Sequence, residues 1–199
     1  MESAAATPGS VKAVSLPNLL TYLRILAVPA VALCLLLIPG DAGRWWALGI
    51  YAAACITDWL DGYLARAWRQ QSTLGRMLDP IADKLLVGTT LLMLTHDNTI
   101  DRTNVAAAAI ILCREILVSG LREFLAELNV KVHVTQLAKW KTTLQMVALG
   151  ILLAGPAGDK LLLPGVTTSG LILLWVAALL TLWTGYDYLK SAVVTAMER

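Results

Sequence analysis

The sequence predicts an all-α integral membrane protein with six transmembrane helices and a polar cavity in the cytoplasmic leaflet. Of its 199 residues, 57% are hydrophobic and only 15% are charged, whereas soluble domains are typically about 45–50% apolar and about 25% charged. The hydrophobic residues form long blocks, as membrane-spanning helices require. Charged residues cluster at one end of several blocks, which indicates a cavity, because a charged side chain facing lipid is costly.

Each hydrophobic block predicts one helix. The predicted helices cover roughly residues 17–38, 45–68, 79–94, 104–128, 134–154 and 168–189. The fifth helix is expected to stop at Gly155 and Pro156, which are strong helix breakers. A single domain is expected over residues 15–192, between an N-terminal tail (1–14) and a C-terminal tail (193–199) that are both cytoplasmic.

The basic residues predict the orientation of these helices. One side of the predicted bundle holds Lys12, Arg69, Arg76, Lys131, Lys139, Lys141, Lys190 and Arg199. The opposite side holds only Arg44, Arg102 and Lys160. Because basic residues are enriched in cytoplasmic segments, the first side and both chain ends are expected in the cytoplasm. The net charge of +2 is too small to argue for a nucleic-acid partner.

Four aspartates lie within this apolar sequence, in two pairs. They are Asp58, Asp61, Asp79 and Asp83. At about 100° per residue, the first pair lies within about 60° on helix 2, and the second pair is one turn apart on helix 3. The short link between these helices predicts that they are antiparallel neighbours, so that the two pairs face each other.

Clustered carboxylates in a membrane need compensation. Each costs on the order of 2.5–3.5 kcal/mol at the centre of a bilayer, and like charges repel, so either some are protonated or cations neutralise them. Oxygen-rich sites suit Mg²⁺ or Mn²⁺, and a pair of such ions suits phosphoryl chemistry. Gly62 leaves room for a diphosphate beside the carboxylates, and Gly75 comes just before predicted helix 3.

The spacing of these residues is that of a known family signature. The pattern D-x2-D-G-x2-A-R-x8-G-x3-D-x3-D comprises Asp58, Asp61, Gly62, Ala65, Arg66, Gly75, Asp79 and Asp83. It resembles the signature of the CDP-alcohol phosphatidyltransferases. The segment PNLLTYLR, residues 17–24, is similar to the N-terminal segment of the same family.

This resemblance implies a reaction and a set of site residues. A phosphatidyl or related group would pass from a CDP-linked donor to a hydroxyl acceptor, with release of CMP. Two divalent cations, Mg²⁺ or Mn²⁺, would be held by Asp58, Asp61, Asp79 and Asp83, and Asp83 would also be the general base. The cytidine diphosphate portion would be bound by Asn18, Thr21, Gly62, Ala65, Arg66 and Gly75. The resemblance further implies a homodimer in a membrane, expected to be the bacterial inner membrane, with the active site open to the cytoplasm.

Basic residues farther along the chain point to the acceptor. They are Arg114 and Arg122 on helix 4 and Lys139 and Lys141 at the start of helix 5. Such a cluster suits an acceptor that carries a phosphate. Both segments resemble the phosphatidylglycerophosphate synthases of the family, which join CDP-diacylglycerol to sn-glycerol 3-phosphate. Ala138 departs from the glycine that many of those relatives have before the lysine.

Two kinds of alternative stay open. The same chemistry could use another acceptor, either inositol phosphate or, to make cardiolipin, phosphatidylglycerol. A divalent-cation transporter would also place carboxylates in the membrane. That alternative leaves the spacing of Gly62, Arg66 and Gly75 unexplained, and it requires polar groups in the apolar far halves of helices 2 and 3.

Overall fold

The computed structural model describes residues 16–68, 73–127 and 136–197, which form six helices. These are α1 (Leu16–Leu37), α2 (Asp41–Trp68), α3 (Thr73–His96), α4 (Asn104–Glu127), α5 (Gln136–Leu161) and α6 (Val166–Met197). The described ranges contain no strand. The predicted all-α architecture and the order of its six helices are confirmed.

Helices α3 and α6 exceed their predicted lengths by the most. Helix α3 begins at Thr73 rather than at Asp79, so Gly75 and Pro80 lie within it. The prediction that Gly75 precedes this helix is therefore wrong, and the residue is buried in the first part of α3. Helix α6 continues to Met197 instead of ending near residue 189. Local breakers and polar residues suggested a later start for α3 and an earlier end for α6, but tertiary context commonly overrides such weak local preferences.

The predicted end of α5 is also wrong, because the helix resumes after a kink. Gly155 has φ 37° and ψ −125°, a backbone conformation that favours glycine. Pro156 has no N–H, so the carbonyl group of Leu152 lacks its usual donor four residues later. Arg44 of α2 supplies donors, since its Nη1 atom lies 3.3 Å from both the Leu152 and Leu153 carbonyl oxygens. A side chain from another helix therefore stabilises the break.

Helix α1 lies at the centre of one half of the bundle. It packs against both α2 and α3, whereas α5 packs against α2 and α6, and α6 packs against α4. Among the described residues, α2 and α3 make few direct contacts, so the prediction that they are neighbours is wrong. Contacts of α3 with α4 and α5 are also sparse, which leaves a cleft between these helices. The buried core includes Val31, Tyr51, Leu86, Ile111, Leu149 and Leu174.

Three of the described helices are long and apolar enough to cross a membrane. Their spans are Leu19–Leu37, Asn104–Leu125 and Val166–Tyr186. Large apolar side chains also cover the outer surface, and Leu26, Leu92 and Trp183 are each more than 60% exposed. Extended apolar surfaces of this kind mark contact with a membrane or another protein. Together these features are those of a membrane protein.

Candidate active site

A buried arginine of α1 joins the aspartates of α2 and α3. The Arg24 side chain is 1% exposed, and its Nη1 atom lies 2.8 Å from Asp58 Oδ1 and 3.7 Å from Asp79 Oδ1. One turn earlier on α1, the Thr21 hydroxyl donates a 2.6 Å hydrogen bond to Asp79 Oδ1. The aspartates therefore converge through α1 rather than across a direct contact between α2 and α3.

Sequence reasoning gave Arg24 no role in the site. Its cationic group compensates part of the negative charge for which the sequence suggested protonation or bound divalent cations. The signal was available, because Arg24 follows Thr21 by three residues in an apolar helix and so shares its face. An arginine at such a position needs a partner, since unpaired charges are costly in an apolar environment.

One cavity of about 760 Å³ brings together six of the predicted site residues. Predicted site residues on its wall are Asp58, Asp79, Asp83, Arg114, Arg122 and Lys141. Four helices, α2 to α5, contribute to its lining. The proposed metal ligands and the proposed acceptor site therefore face the same space.

Other predicted residues have side chains outside the described part of the chain. They are Asn18 on α1, Asp61, Gly62, Ala65 and Arg66 on α2, and Lys139 on α5. Lys131, which entered the charge count, lies wholly outside it. The described helices place Asp61 only one turn beyond Asp58 along α2.

Two of the basic residues of the cavity are held by a glutamate that sequence reasoning did not assign to the site. Glu115 Oε1 lies 3.2 Å from Arg114 Nη1 and also accepts a hydrogen bond from Lys141 Nζ. Arg114 and Lys141 are 7% and 4% exposed. Two buried cations thus share one carboxylate, which leaves positive charge to attract an anion. The sequence already suggests Glu115 as a partner of these cations, because it stands beside Arg114 in an apolar helix.

Helix α6 fixes the other side of Arg114. The Arg114 Nη2 atom donates a 3.0 Å hydrogen bond to the Thr184 hydroxyl. Next to it, Gly185 leaves space for the arginine stem, since a Cβ atom there would lie 3.1 Å from Arg114 Cγ. No sequence signal links these residues, because Thr184 is 70 positions away.

The donor groups of the cavity suit hard divalent cations. Asp58 and Asp79 have side chains that are 40% and 46% exposed, so their carboxylates are accessible beside Asp83. Carboxylate oxygens are the ligands that Mg²⁺ and Mn²⁺ favour. Within the described side chains, no three acidic, histidine or cysteine groups form a compact ligand set. Asp61, the fourth predicted ligand, lies outside those side chains.

The chain is similar to known proteins over most of its length. Residues 14–183 match the family model of CDP-alcohol phosphatidyltransferase. Three relatives each bear the name CDP-diacylglycerol–glycerol-3-phosphate 3-phosphatidyltransferase. The protein from Rickettsia bellii is 46% identical, covering 89% of this chain and 94% of its own. That from Cereibacter sphaeroides is 40% identical over 90% of this chain and 96% of its own.

The third of these relatives, from Escherichia coli K12, is 40% identical over 93% of this chain and 98% of its own length. The match to the family model covers the N-terminal segment, the aspartates and the basic residues of α4 and α5. Both kinds of comparison agree with the resemblance seen in the aspartate motif. The chain belongs to the CDP-alcohol phosphatidyltransferase family.

Proposed function

We propose that this protein transfers the phosphatidyl group of CDP-diacylglycerol to sn-glycerol 3-phosphate, giving phosphatidylglycerophosphate and CMP. The observation that carries the proposal is the shared cavity, in which three motif aspartates face Arg114, Arg122 and Lys141. An anionic acceptor bound by these cations would lie near the aspartates. The names of the bacterial relatives support the same pair of substrates.

The donor side of the proposed site is built on α1, α2 and α3. Two divalent cations, Mg²⁺ or Mn²⁺, would be held by Asp58, Asp61, Asp79 and Asp83, and would supply charge neutralisation for the diphosphate and for the CMP leaving group. Thr21 and Arg24 orient Asp79 and Asp58 through the contacts described above. The cytidine diphosphate portion would be bound by Asn18, Thr21, Gly62, Ala65, Arg66 and Gly75.

The acceptor side is built on α4 and α5. The phosphate of glycerol 3-phosphate would be bound by Arg114, Arg122, Lys139 and Lys141 through charge-assisted hydrogen bonds. Its primary hydroxyl would face Asp83, which accepts the hydroxyl proton as the oxygen attacks phosphorus. A new P–O bond forms to the acceptor, and the P–O bond to CMP breaks with its electron pair leaving on CMP. Glu115 holds Arg114 and Lys141 in place for this role, and Thr184 holds Arg114.

The membrane arrangement is also part of the proposal. All six helices would cross the membrane as one domain (15–192) with cytoplasmic segments on either side (1–14 and 193–199), the second of which continues α6 to Met197. The cavity would lie in the cytoplasmic leaflet. The distribution of basic residues and the exposed apolar surface support this arrangement. The bacterial relatives support a location in the bacterial inner membrane, and family resemblance supports a homodimer.

Purified protein would be tested with CDP-diacylglycerol, Mg²⁺ or Mn²⁺ and one acceptor at a time, while CMP release and lipid products are measured. We expect CMP and phosphatidylglycerophosphate with glycerol 3-phosphate, and no turnover after chelation of divalent ions. Turnover with inositol phosphate, or cardiolipin formation from phosphatidylglycerol, in place of this reaction would overturn the proposed acceptor. Metal uptake into proteoliposomes without any CMP release would instead favour a transporter.

A further inference from the structure

Gln145 of α5 presents a buried amide to a second cavity. The residue is 3% exposed, and its Oε1 atom has no hydrogen-bond partner within the described part of the chain. Buried side-chain acceptors are nearly always paired, because an unpaired acceptor loses its hydration without compensation. A ligand hydroxyl is a suitable donor for such an oxygen.

The second cavity continues from the proposed active site. It has a volume of about 310 Å³ and lies between α3, α4 and α5. It shares lining residues with the larger cavity, among them Asp83, Glu115 and Thr142. Gln145 therefore faces a space whose wall also includes the proposed general base.

Gln145 also lies one helical turn from Lys141, a residue of the proposed phosphate site. Lys141 precedes Gln145 by four residues, so the two side chains share one face of α5 with about 5–6 Å between their Cβ atoms. A three-carbon phosphate ester can span that interval. Part of the remaining wall is apolar, including Val87, Leu112 and Ile116. The carboxylate of Glu115 on the same wall is already paired with Arg114 and Lys141.

These positions account for the three polar groups of glycerol 3-phosphate. In the proposed function, the phosphate faces the cations and the reacting primary hydroxyl faces Asp83. The secondary hydroxyl still needs an acceptor, and Gln145 lies on the wall that carries both sites. We propose that the Gln145 amide accepts a hydrogen bond from the non-reacting secondary hydroxyl and selects acceptors that carry it. This inference rests on the proposed function.

The inference predicts discrimination against a deoxy acceptor. A buried site built to bind a hydroxyl rejects analogues that lack it, because the protein group is then left unpaired. Wild-type protein would be assayed with glycerol 3-phosphate and with 3-hydroxypropyl phosphate, which lacks only the secondary hydroxyl. We expect kcat/KM for glycerol 3-phosphate to exceed that for the analogue by at least about tenfold.

Variant Gln145→Met keeps the length of the side chain and removes the amide. We expect its kcat/KM for glycerol 3-phosphate to fall toward the value for the deoxy analogue, while its rate with the analogue stays within about threefold of wild type. Gln145→Leu provides a second apolar variant, and thermal unfolding establishes that each variant is folded. Thr90→Val is the control, because Thr90 is buried with an unpartnered hydroxyl in the described structure and lines neither cavity.

The outcomes separate this inference from the function on which it rests. Equal use of the two acceptors by wild-type protein would overturn the role of Gln145 and leave the proposed function standing. An equal loss of rate with both acceptors in the variants would show that Gln145 only supports the fold. No turnover of glycerol 3-phosphate by the wild type would remove the proposed function and this inference together.

Discussion

The Arg24 Nη1 atom lies 2.8 Å from Asp58 Oδ1, so a buried arginine of α1 is paired with the first aspartate of the motif. The same atom lies 3.7 Å from Asp79 Oδ1. One protein cation therefore sits between carboxylates of α2 and α3. This pairing orients both carboxylates and reduces their mutual repulsion.

Replacing Arg24 with Met should impair catalysis through its two aspartate partners. Groups that orient metal ligands typically contribute about 10- to 100-fold to metal affinity or activity, and we expect a loss of kcat/KM in that range. Titration of Mg²⁺ or Mn²⁺ against activity would measure the change in metal requirement. Arg24→Lys, which keeps the charge, should retain more activity. Wild-type kinetics and metal dependence in Arg24→Met would contradict an orienting role.

Asp83→Asn should abolish turnover while much of the donor and metal binding survives. The amide cannot accept the acceptor's proton, and general-base catalysis contributes about 10²- to 10⁴-fold. CMP release would give kcat, and calorimetry would give the affinity for the donor. Asp41→Asn is a control, because Asp41 pairs with Lys160 and lies outside the cavity. Full activity of Asp83→Asn would remove Asp83 as the base.

Lysine variants at the start of α5 should change acceptor binding selectively. Lys139→Ala and Lys141→Ala each remove a cation proposed to bind the acceptor phosphate. Since charge-assisted hydrogen bonds contribute about 1.5–3 kcal/mol, we expect the KM for glycerol 3-phosphate to rise about 10- to 100-fold, with a much smaller change for CDP-diacylglycerol. Steady-state kinetics with each substrate varied in turn would measure both. An unchanged acceptor KM would show that the phosphate site lies elsewhere.

Gly185→Ala should displace Arg114 from its position in the cavity. The added methyl group would lie 3.1 Å from Arg114 Cγ, which is closer than most real contacts of a Cβ atom, so the arginine stem would have to shift by a few tenths of an ångström. We expect the acceptor KM to rise several-fold and the donor KM to change little. Gly120→Ala on α4 is the matched control, because nothing lies within 4 Å of its added methyl group, and alanine favours a helix. Equal kinetics for the two variants would refute a role for Gly185.

Asp159→Ala should lower thermal stability in a pH-dependent way. The Asp159 carboxylate accepts a 2.5 Å hydrogen bond from the Thr167 hydroxyl and bonds from the backbone N–H groups of Gly165 and Thr167. These hydrogen bonds lower the pKa of Asp159 below its usual value, and the bond from the Thr167 hydroxyl contributes most. The ionised group stabilises the start of α6, where positive backbone dipoles favour an anion.

The sign of this pH effect follows from the lowered pKa. Asp159 contributes stability above the pKa of the unfolded chain, about 3.9, and that contribution is lost as the pH falls through the lower folded-state value. Thermal unfolding at pH 7 should therefore separate wild type from Asp159→Ala, and the difference should shrink below about pH 4. A difference in Tm that stays constant from pH 7 to pH 3 would contradict this assignment.

The sequence alone determined the class of fold and the main residues of the candidate site. Long apolar blocks predict helices because the length of an uncharged stretch can be read from the sequence without knowledge of the fold. The spacing within each pair of aspartates likewise predicted that the pair shares one face of its helix and that the two pairs face each other, and Asp58, Asp79 and Asp83 do line one cavity. The helix ends were less predictable, because α5 continues past Gly155, where Arg44 of a distant part of the chain bonds the carbonyl groups at the kink.

Only the tertiary structure decided which helices are neighbours and which charges are paired. In membrane helices, lipid-facing and buried surfaces are both apolar, so hydrophobic periodicity gives little information about the partner of each face. The sequence therefore predicted α1 as a membrane span, but it did not predict that α1 packs between α2 and α3. The pairing of Arg24 with Asp58, and that of Glu115 with Lys141, joins residues distant in the chain. These pairs form because buried charges need partners, and the packing of the helices determines which partners lie within reach.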